Sequence, residues 1–509
     1  MFFEGEVLKL MGLVFLAKPV GLIVQVLLAR YFGAGEQYDA YALALFLVSY
    51  AGAVAGIVYT NVVLPFTIQL RKELDRDRLS AFQNATILLF LVPAVVYMLI
   101  LMFQGELVIR LVGPELPDRT RGFAEDMIRF MAVPGLLLLL VAMLKSILNL
   151  NHCYRLPSML PVCNAFIMLI MILALHEEFG IWSVPLGFAV SSLVQVILLA
   201  RQAWVRGGMS WALPALPPGV LSKLWQLSWM ILVTQSIVIL YHFIDKMFAS
   251  RLEVGSISSI TYSYTLTGFT VQIFSASLVV VMFTRMSELV SEGRIDALNR
   301  YIRENLEHVV RIVVPISLTM VCASTEVVRV LFQRGKFTEE DTVRTASVLA
   351  LYLLGLPAIV SNQVVGQVFF SMQRMGLKIV LAIQYLTTNV IGNLLLIESM
   401  GVQGLAISTA VTINLHYFLS AAALERYRVG IQGWRCAWIL LRHYLIAGIV
   451  YAVYILLDFD TTASSWADPM EFWGAIVVAG VKSAFVIGCY LGVYLLPRFA
   501  RFHQLQFWK

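Results

Sequence analysis

Residues 64–79, LPFTIQLRKELDRDRL, return in altered form at residues 281–298 as VMFTRMSELVSEGRIDAL, a shift of about 217. LVIRLV (107–112) resembles EVVRVL (326–331) at a shift of 219, and NHCYRLP (151–157) falls opposite SMQRMGL (371–377) at about 220. Two apolar runs also end alike, in ARYFGAG (29–35) and ASRLEVG (249–255). One such match is chance, but four at a common interval indicate duplication. The interval holds six apolar runs, an even number, so both copies enter a bilayer in the same direction. Such parallel repeats are related by an axis along the membrane normal, and transporters built from them place their site where the copies meet.

The bilayer itself is read from composition. The chain has 509 residues, is 60% hydrophobic and only 13% charged, with a mean hydropathy of +0.82. A water-soluble domain carries about 25% charged residues. Apolar runs of about 20 residues, the span of a bilayer core, recur along the whole length. The spacing predicts fourteen spans, near 8–32, 38–63, 84–103, 124–150, 157–176, 179–203, 222–250, 259–283, 305–325, 344–368, 376–398, 402–424, 437–457 and 472–496. The fold class is an all-α polytopic membrane protein: two parallel six-helix repeats forming an N-lobe (1–205) and a C-lobe (206–430), plus two further helices and a cytoplasmic tail (431–509). With the N-terminus in the cytoplasm, cytoplasmic segments carry 23 Lys and Arg and the opposite ones carry 9. That surplus places both termini inside. Lys18, Arg129, Lys246, Arg311 and Lys482 lie within or at the edges of spans.

Several function classes lack their residues. The run 8–32 is too long for a signal-peptide core and has no small-residue cleavage site. Five cysteines without a CxxC signal neither a metal nor a disulfide framework. The seven histidines show no HxxxH or HExxH spacing, and no GxxxxGK[ST] phosphate loop exists. Outer loops reach only about 20 residues and carry no carboxylate or histidine cluster. The chain reads as a transporter rather than an enzyme, with no nucleic-acid partner. The stripe Ile295, Leu298, Ile302 and Leu306 predicts a helix along the membrane surface before the ninth span.

The buried polar residues are the candidates. Lys18 stands mid-span beside Pro19. A charge at that depth faces water, an anion or a partner carboxylate, or reaches to a headgroup. In ARYFGAGEQYDAY (29–41), Gly33 and Gly35 turn the chain and Asp39 restarts the helix, where a carboxylate caps backbone N–H groups. Arg30, at the outer end of helix 1, either anchors at the interface or pairs with Asp39 as a gate. Asp245 and Lys246 point about 100° apart on their helix. Asn389 and Asn393, and Ser408 and Thr412, are each four apart and so share a face. With Asp245, these neutral oxygens suit a hard monovalent cation, or else bond helix to helix. Tyr262, Ser263, Tyr264, Thr265 and Thr267 crowd one helix, to stack sugars or to bridge helices. Pro134 and Pro357 occupy similar places in the two copies.

FGAG…DAY (32–41), IDKMFAS…GSIS (244–258) and, most specifically, LFQRGKFTEEDT (331–342) followed by GLP (355–357) resemble the MurJ/MviN family. These are lipid II flippases within the multidrug/oligosaccharidyl-lipid/polysaccharide exporter superfamily. The resemblance runs from helix 1 through helix 12. It implies two lobes in a V, alternating access to a central cationic cavity, and an undecaprenyl-pyrophosphate-linked saccharide carried from inner to outer leaflet of the bacterial cytoplasmic membrane. Where the family's first helix has two arginines followed by an aspartate, this chain has Lys18, Val24 and Gln25. Further family arginines fall at Gly52 and Thr265, with Tyr264 in place of an aspartate, and a basic residue falls at Gln363. The substrate-binding set so implied is Lys18, Gln25, Tyr264, Thr265 and Gln363. One lysine grips a pyrophosphate at a single point, unlike an arginine fork. A flippase for a lipid-linked exopolysaccharide or O-antigen unit is the alternative, followed by a multidrug antiporter. No cofactor is expected beyond a sodium or proton gradient, nor a partner beyond the lipid-linked substrate and membrane lipids, in a monomer.

Overall fold

The computed structural model describes residues 19–71, 74–206, 212–372, 375–426, 430–460 and 472–506. Every described element is helical. Among the described residues, ten helices are long and apolar enough to cross a membrane. The described residues divide into two compact units, Met1–Ser258 and Ser259–Lys509.

The first unit runs α1 (Pro19–Phe32), α2 (Glu36–Val58), a π-helical turn (Tyr59–Val63), α3 (Leu64–Leu70), α4 (Arg76–Phe103), α5 (Gly105–Val112), α6 (Asp118–Leu150), α7 (Arg155–Phe179), α8 (Ser183–Val205) and α9 (Val220–Ala249). The quoted LPFTIQL therefore continues the second span, while Asp75 caps α4 by accepting from the Arg78 N–H at 2.9 Å. Helices α2 and α6 approach through small residues. Gly52 and Gly56, four apart, lie flush against α6: an added Cβ would meet the Leu139 nitrogen at 3.3 Å and the Ala142 Cβ at 2.8 Å. Gly135 returns the fit, with the Val48 carbonyl 2.6 Å from where its Cβ would be. Glycines spaced this way let two helix backbones touch in lipid, where no hydrophobic force separates helix from solvent. Gly33 turns the chain with φ +68, whereas Gly35 is extended (φ −140) and is the residue preceding α2.

The second unit follows from α10 (Ser256–Ser291), whose first turn belongs to the first unit. It continues with α11 (Ile295–Cys322), α12 (Ser324–Phe332), α13 (Glu339–Leu353), α14 (Leu356–Ser371), α15 (Met375–Arg426), α16 (Gly433–Leu456) and α17 (Phe472–Gln506). The expected surface helix is corrected here. Leu298, Ile302 and Leu306 are fully buried, and their stripe continues through Val310 and Val314 without a break. One uninterrupted helix results, seated on Leu440, Val486 and Tyr490 of α16 and α17. The expected span 344–368 falls within one candidate span, Glu339–Phe369, that turns at Leu354–Gly355. There α13 ends and α14 begins with Pro357 in its first turn, where proline has no N–H to lose. Pro134, by contrast, lies inside an unbroken α6.

The duplication is visible in the backbone. Helices α7 and α8 fold back at Gly180 with φ 54 and ψ −133, and α15 folds back at Gly401 with φ 56 and ψ −132. The two glycines stand 221 apart in sequence, the interval of the repeat. Short helices α5 and α12 carry the LVIRLV and EVVRVL segments themselves. The element LFQRGKFTEEDT is the elbow between α12 and α13. Gly335 takes φ +64, and Thr338 and Asp341 form a reciprocal capping box. Gln333 donates to Glu339 at 2.6 Å and accepts from Thr342 at 3.1 Å. Phe332 and Phe337 close on Tyr262, with ring centroids 5.0 and 5.5 Å away.

Candidate functional site

Asp39 is the most enclosed of the candidate residues in the first unit, at 3% exposure. It does not cap its own helix: α2 begins at Glu36, after Gly35, with no side-chain cap. Its carboxylate caps α10 instead, accepting from the Gly255 N–H at 2.7 Å, from the Ser258 N–H at 2.7 Å and from the Ser258 hydroxyl. Gly255 has φ +92, a region that favours glycine. A carboxylate among the first N–H groups of a helix answers both the unmade hydrogen bonds and the positive end of the dipole. Ser258 stands 219 residues after Asp39, so the first copy's carboxylate holds its counterpart in the second.

Lys246 ties the same end of the unit from α9. Its ammonium donates to the Ala42 carbonyl at 3.0 Å and stands 5.5 Å from the centre of the Phe46 ring, and Phe46 stacks on Phe243 at 5.6 Å. Tyr38 donates to Gln25 at 3.2 Å, joining α1 to α2. Arg30 is exposed, its guanidinium 5.5 Å from the Tyr31 ring centre. Asp245 is buried at 4% exposure. Lys18 lies outside the described residues. A cavity of about 390 Å³ opens among α2, α4 and α9, lined by Tyr50, Pro93, Tyr97, Trp225 and Ser228 among others. No lining residue is charged, so this cavity offers a pyrophosphate no counter-ion.

In the second unit, two of the neutral pairs meet across their helices. Asn393 donates to Asn389 at 3.3 Å, Asn389 donates to Thr409 at 3.4 Å, and the Ser408 hydroxyl donates to the Asn389 carbonyl at 3.0 Å. All four candidates are buried, and the Thr412 hydroxyl has no hydrogen-bond partner among the described residues. Gly392 allows the approach, since a Cβ there would stand 2.3 Å from the Ser408 hydroxyl. Asp245 belongs to the other unit. Tyr264 is 48% exposed, Thr265 donates back to the Thr261 carbonyl at 2.8 Å, and Gln363 is half-buried. Ser263 donates to the Thr345 carbonyl at 2.9 Å, a helix-to-helix bond. Among the described residues no cluster of three or more His, Cys, Asp or Glu side chains is placed to hold a metal ion.

Two features escaped sequence reasoning. Gly255 and Ser258 partner Asp39, and the GS pair opening the apolar run 259–283 was the available sign. The other is a charged cluster: Lys482, 3% exposed, donates to Glu326 at 2.7 Å and also pairs with Asp460. Aligning the copies offered the signal, because Leu107, 54% exposed, stands in the first copy where Glu326 stands in the second. Tyr454 donates to Asp460 at 2.9 Å. Burial pushes the Asp460 carboxyl up, but the Lys482 ammonium and the Tyr454 hydroxyl outweigh it and hold the group below its ordinary value.

A family model described as lipid II flippase MurJ matches residues 28–476. A lipid II flippase MurJ of Burkholderia cenocepacia is 23% identical over 481 residues, covering 91% of this chain and 92% of that protein. A probable lipid II flippase MurJ of Borreliella burgdorferi is 24% identical and covers 74% and 75%. Among solved structures, a lipid II flippase MurJ in an inward closed conformation superposes with TM-score 0.79 at 19% identity, covering 97% of this chain and all of that one. An inward-facing multidrug resistance transporter of the MATE family gives 0.66 at 11% identity, covering 80% and 92%. These two share the fold with this chain.

Proposed function

We propose, because the chain belongs to the lipid II flippase MurJ family, that it moves a lipid II-like undecaprenyl-pyrophosphate saccharide from the inner to the outer leaflet of the bacterial cytoplasmic membrane by alternating access. The observation that carries this is the reach of the family match, residues 28–476, which takes in both sequence copies and α16. The protein's own part is to offer a wet path for a dianionic headgroup that the bilayer core excludes. Lys18 meets the pyrophosphate, and Gln25, Tyr264, Thr265 and Gln363 offer hydrogen bonds to the sugar. Asp39 is the outer latch. While its carboxylate caps α10 and Lys246 holds α2, the outer ends of α2, α9 and α10 stay together, and opening to the outside requires that cap to release. Transport of labelled lipid II in proteoliposomes tests the reading. Transport that survives Lys18→Met at full rate removes Lys18 from it.

A second reading keeps the mechanism and changes the sugar to an exopolysaccharide or O-antigen unit. It is favoured by the positions where the family's arginines are missing. Val24 is 6% exposed, and Gly52 is sealed against Leu138 and Leu139 with no room for a longer side chain. Growth of a strain depleted of its own lipid II flippase separates the two: rescue supports the peptidoglycan precursor, and failure by a well-expressed chain supports the other cargo. A monovalent cation at Asn389, Asn393, Ser408 and Thr412 is a further element of the proposal. Sodium, but not potassium, then raises the melting temperature of the purified protein, and Thr412→Val removes the difference.

A further inference from the structure

Where α11, α16 and α17 pack together, one carboxylate lies near two arginines but pairs with only one of them, Arg442, among the described residues. Glu307 accepts from Arg442 at 2.5 Å and from Tyr494 at 3.1 Å, and the His443 Nε2 lies 3.3 Å away. Arg311, one turn along α11, holds its guanidinium 5.2 Å from the centre of the Tyr494 ring. The Nε groups of both Arg311 and Arg442 are buried and have no hydrogen-bond partner among the described residues. The two guanidiniums exceed the one carboxylate by a positive charge. The Arg442 side chain is 44% exposed, yet its neighbours on that face of α16 are Trp438 at 51% and Leu445 at 55%, apolar side chains turned out of the bundle. An exposed arginine between exposed tryptophan and leucine on a membrane span borders lipid, where surplus positive charge is costly. Arg442 lies five residues inside the expected span 437–457, about 7 Å from its start at a helical rise of 1.5 Å per residue, a depth its stem covers by reaching toward a headgroup.

We propose that Arg311 and Arg442 form a binding site for the phosphate of an anionic phospholipid, such as phosphatidylglycerol, at the rim of α11 and α16. The phosphate accepts from the exposed side of the Arg442 guanidinium and balances the surplus charge that Arg311 adds, as guanidinium forks do with phosphate oxygens. Glu307 competes with the lipid for the Arg442 guanidinium, so its removal strengthens the site. Trp438 lies beside the glycerol backbone. The site is separate from the substrate path, and it makes the packing of α16 and α17 depend on the surrounding lipid.

The test uses the full-length protein in neutral detergent, titrated with dioleoylphosphatidylglycerol, dioleoylphosphatidylcholine, dioleoylglycerol or inorganic phosphate, and read by melting temperature and by retained lipid in native mass spectra. Phosphatidylglycerol is expected to bind and stabilise at lower concentration than the other three. Arg311→Gln weakens that binding about tenfold, and Glu307→Gln strengthens it severalfold, an increase that a purely structural carboxylate would not give. Arg442→Lys, which keeps the charge and the fold, retains the preference with reduced affinity. Equal binding by the wild type and by Arg311→Gln, in protein with unchanged helicity, overturns the site. Equal stabilisation by inorganic phosphate overturns its assignment to a lipid.

Discussion

Asp39 carries one charge against at least three donors, the Gly255 and Ser258 N–H groups and the Ser258 hydroxyl at the start of α10. Hydrogen bonds to an ionised acceptor are about twice as strong as neutral ones. Asp39→Asn keeps the shape and removes the charge. It is expected to lower transport at least tenfold while leaving the amount of folded protein in the membrane unchanged, and labelling of Ser256→Cys, a position 3% exposed in the capped state, rises as the cap loosens. Ser258→Ala removes one donor only and gives a smaller effect in the same direction. Unchanged labelling in Asp39→Asn would exclude the latch. The Lys482 cluster behaves differently, because both Lys482 and Glu326 are buried. Removing one partner of a buried pair costs about 3–5 kcal/mol, since the other charge is left without compensation. Lys482→Met should therefore lower the melting temperature sharply, and adding Glu326→Leu, which installs the residue type of Leu107, should recover much of the loss. Asp460 adds a pH dependence of known sign. Its folded value lies below its unfolded one, so its contribution is present above the ordinary carboxylate range and is lost as pH falls through the folded value. In Asp460→Asn this part of the acid limb disappears, as melting curves taken below about pH 4 will show.

The two helical hairpins give a paired test, because Gly180 and Gly401 have the same backbone geometry and open space where a Cβ would stand. Alanine at either position meets no neighbour, so only backbone strain remains, about 1–3 kcal/mol for a residue held where glycine alone is comfortable. Gly180→Ala and Gly401→Ala are expected to lower the melting temperature by similar amounts. Gly433→Ala should be far worse, because its Cβ would sit 1.8 Å from the Ala421 carbonyl oxygen. Thermal melts of the three variants side by side check the order. The hairpins were legible in the sequence as pairs of spans, since each apolar run is long enough to stand alone. The break between α13 and α14 was not, because Gly355 and Pro357 sit inside a continuous apolar run and hydropathy does not register a change of axis. The surface helix was misread for a related reason. A stripe at i, i+3, i+7 marks an apolar face but does not say whether lipid headgroups or neighbouring helices cover it. Here Leu298, Ile302 and Leu306 are covered by protein.

Duplication was legible because it is written in spacing, and it reappears in α5 against α12 and in the two glycine turns. The packing of α9 within the first unit was not, since the repeat assigns that helix to the second copy and only contacts such as Lys246 to Ala42 say otherwise. The polar candidates divide along the same line. The shared faces of Asn389 with Asn393 and of Ser408 with Thr412 followed from helical periodicity, but the bond that joins them did not, and Asp39 was assigned to the wrong helix because its partner lies 219 residues away. The direction of the whole chain through the membrane is the expectation with most consequence, because the latch at Asp39 is an outer latch only if the N-terminus is cytoplasmic. The argument is the surplus of 23 Lys and Arg over 9, and positive charge on short loops resists translocation. Alkaline phosphatase fused after Gly113 should be active, and fused after Arg206 or Gly430 inactive, whereas a fluorescent protein fused at Lys509 should glow. Phosphatase activity at Arg206 would turn the chain over. It would move Asp39 and Lys246 to the inner end of the path, so that the same cap would then close the cytoplasmic entrance.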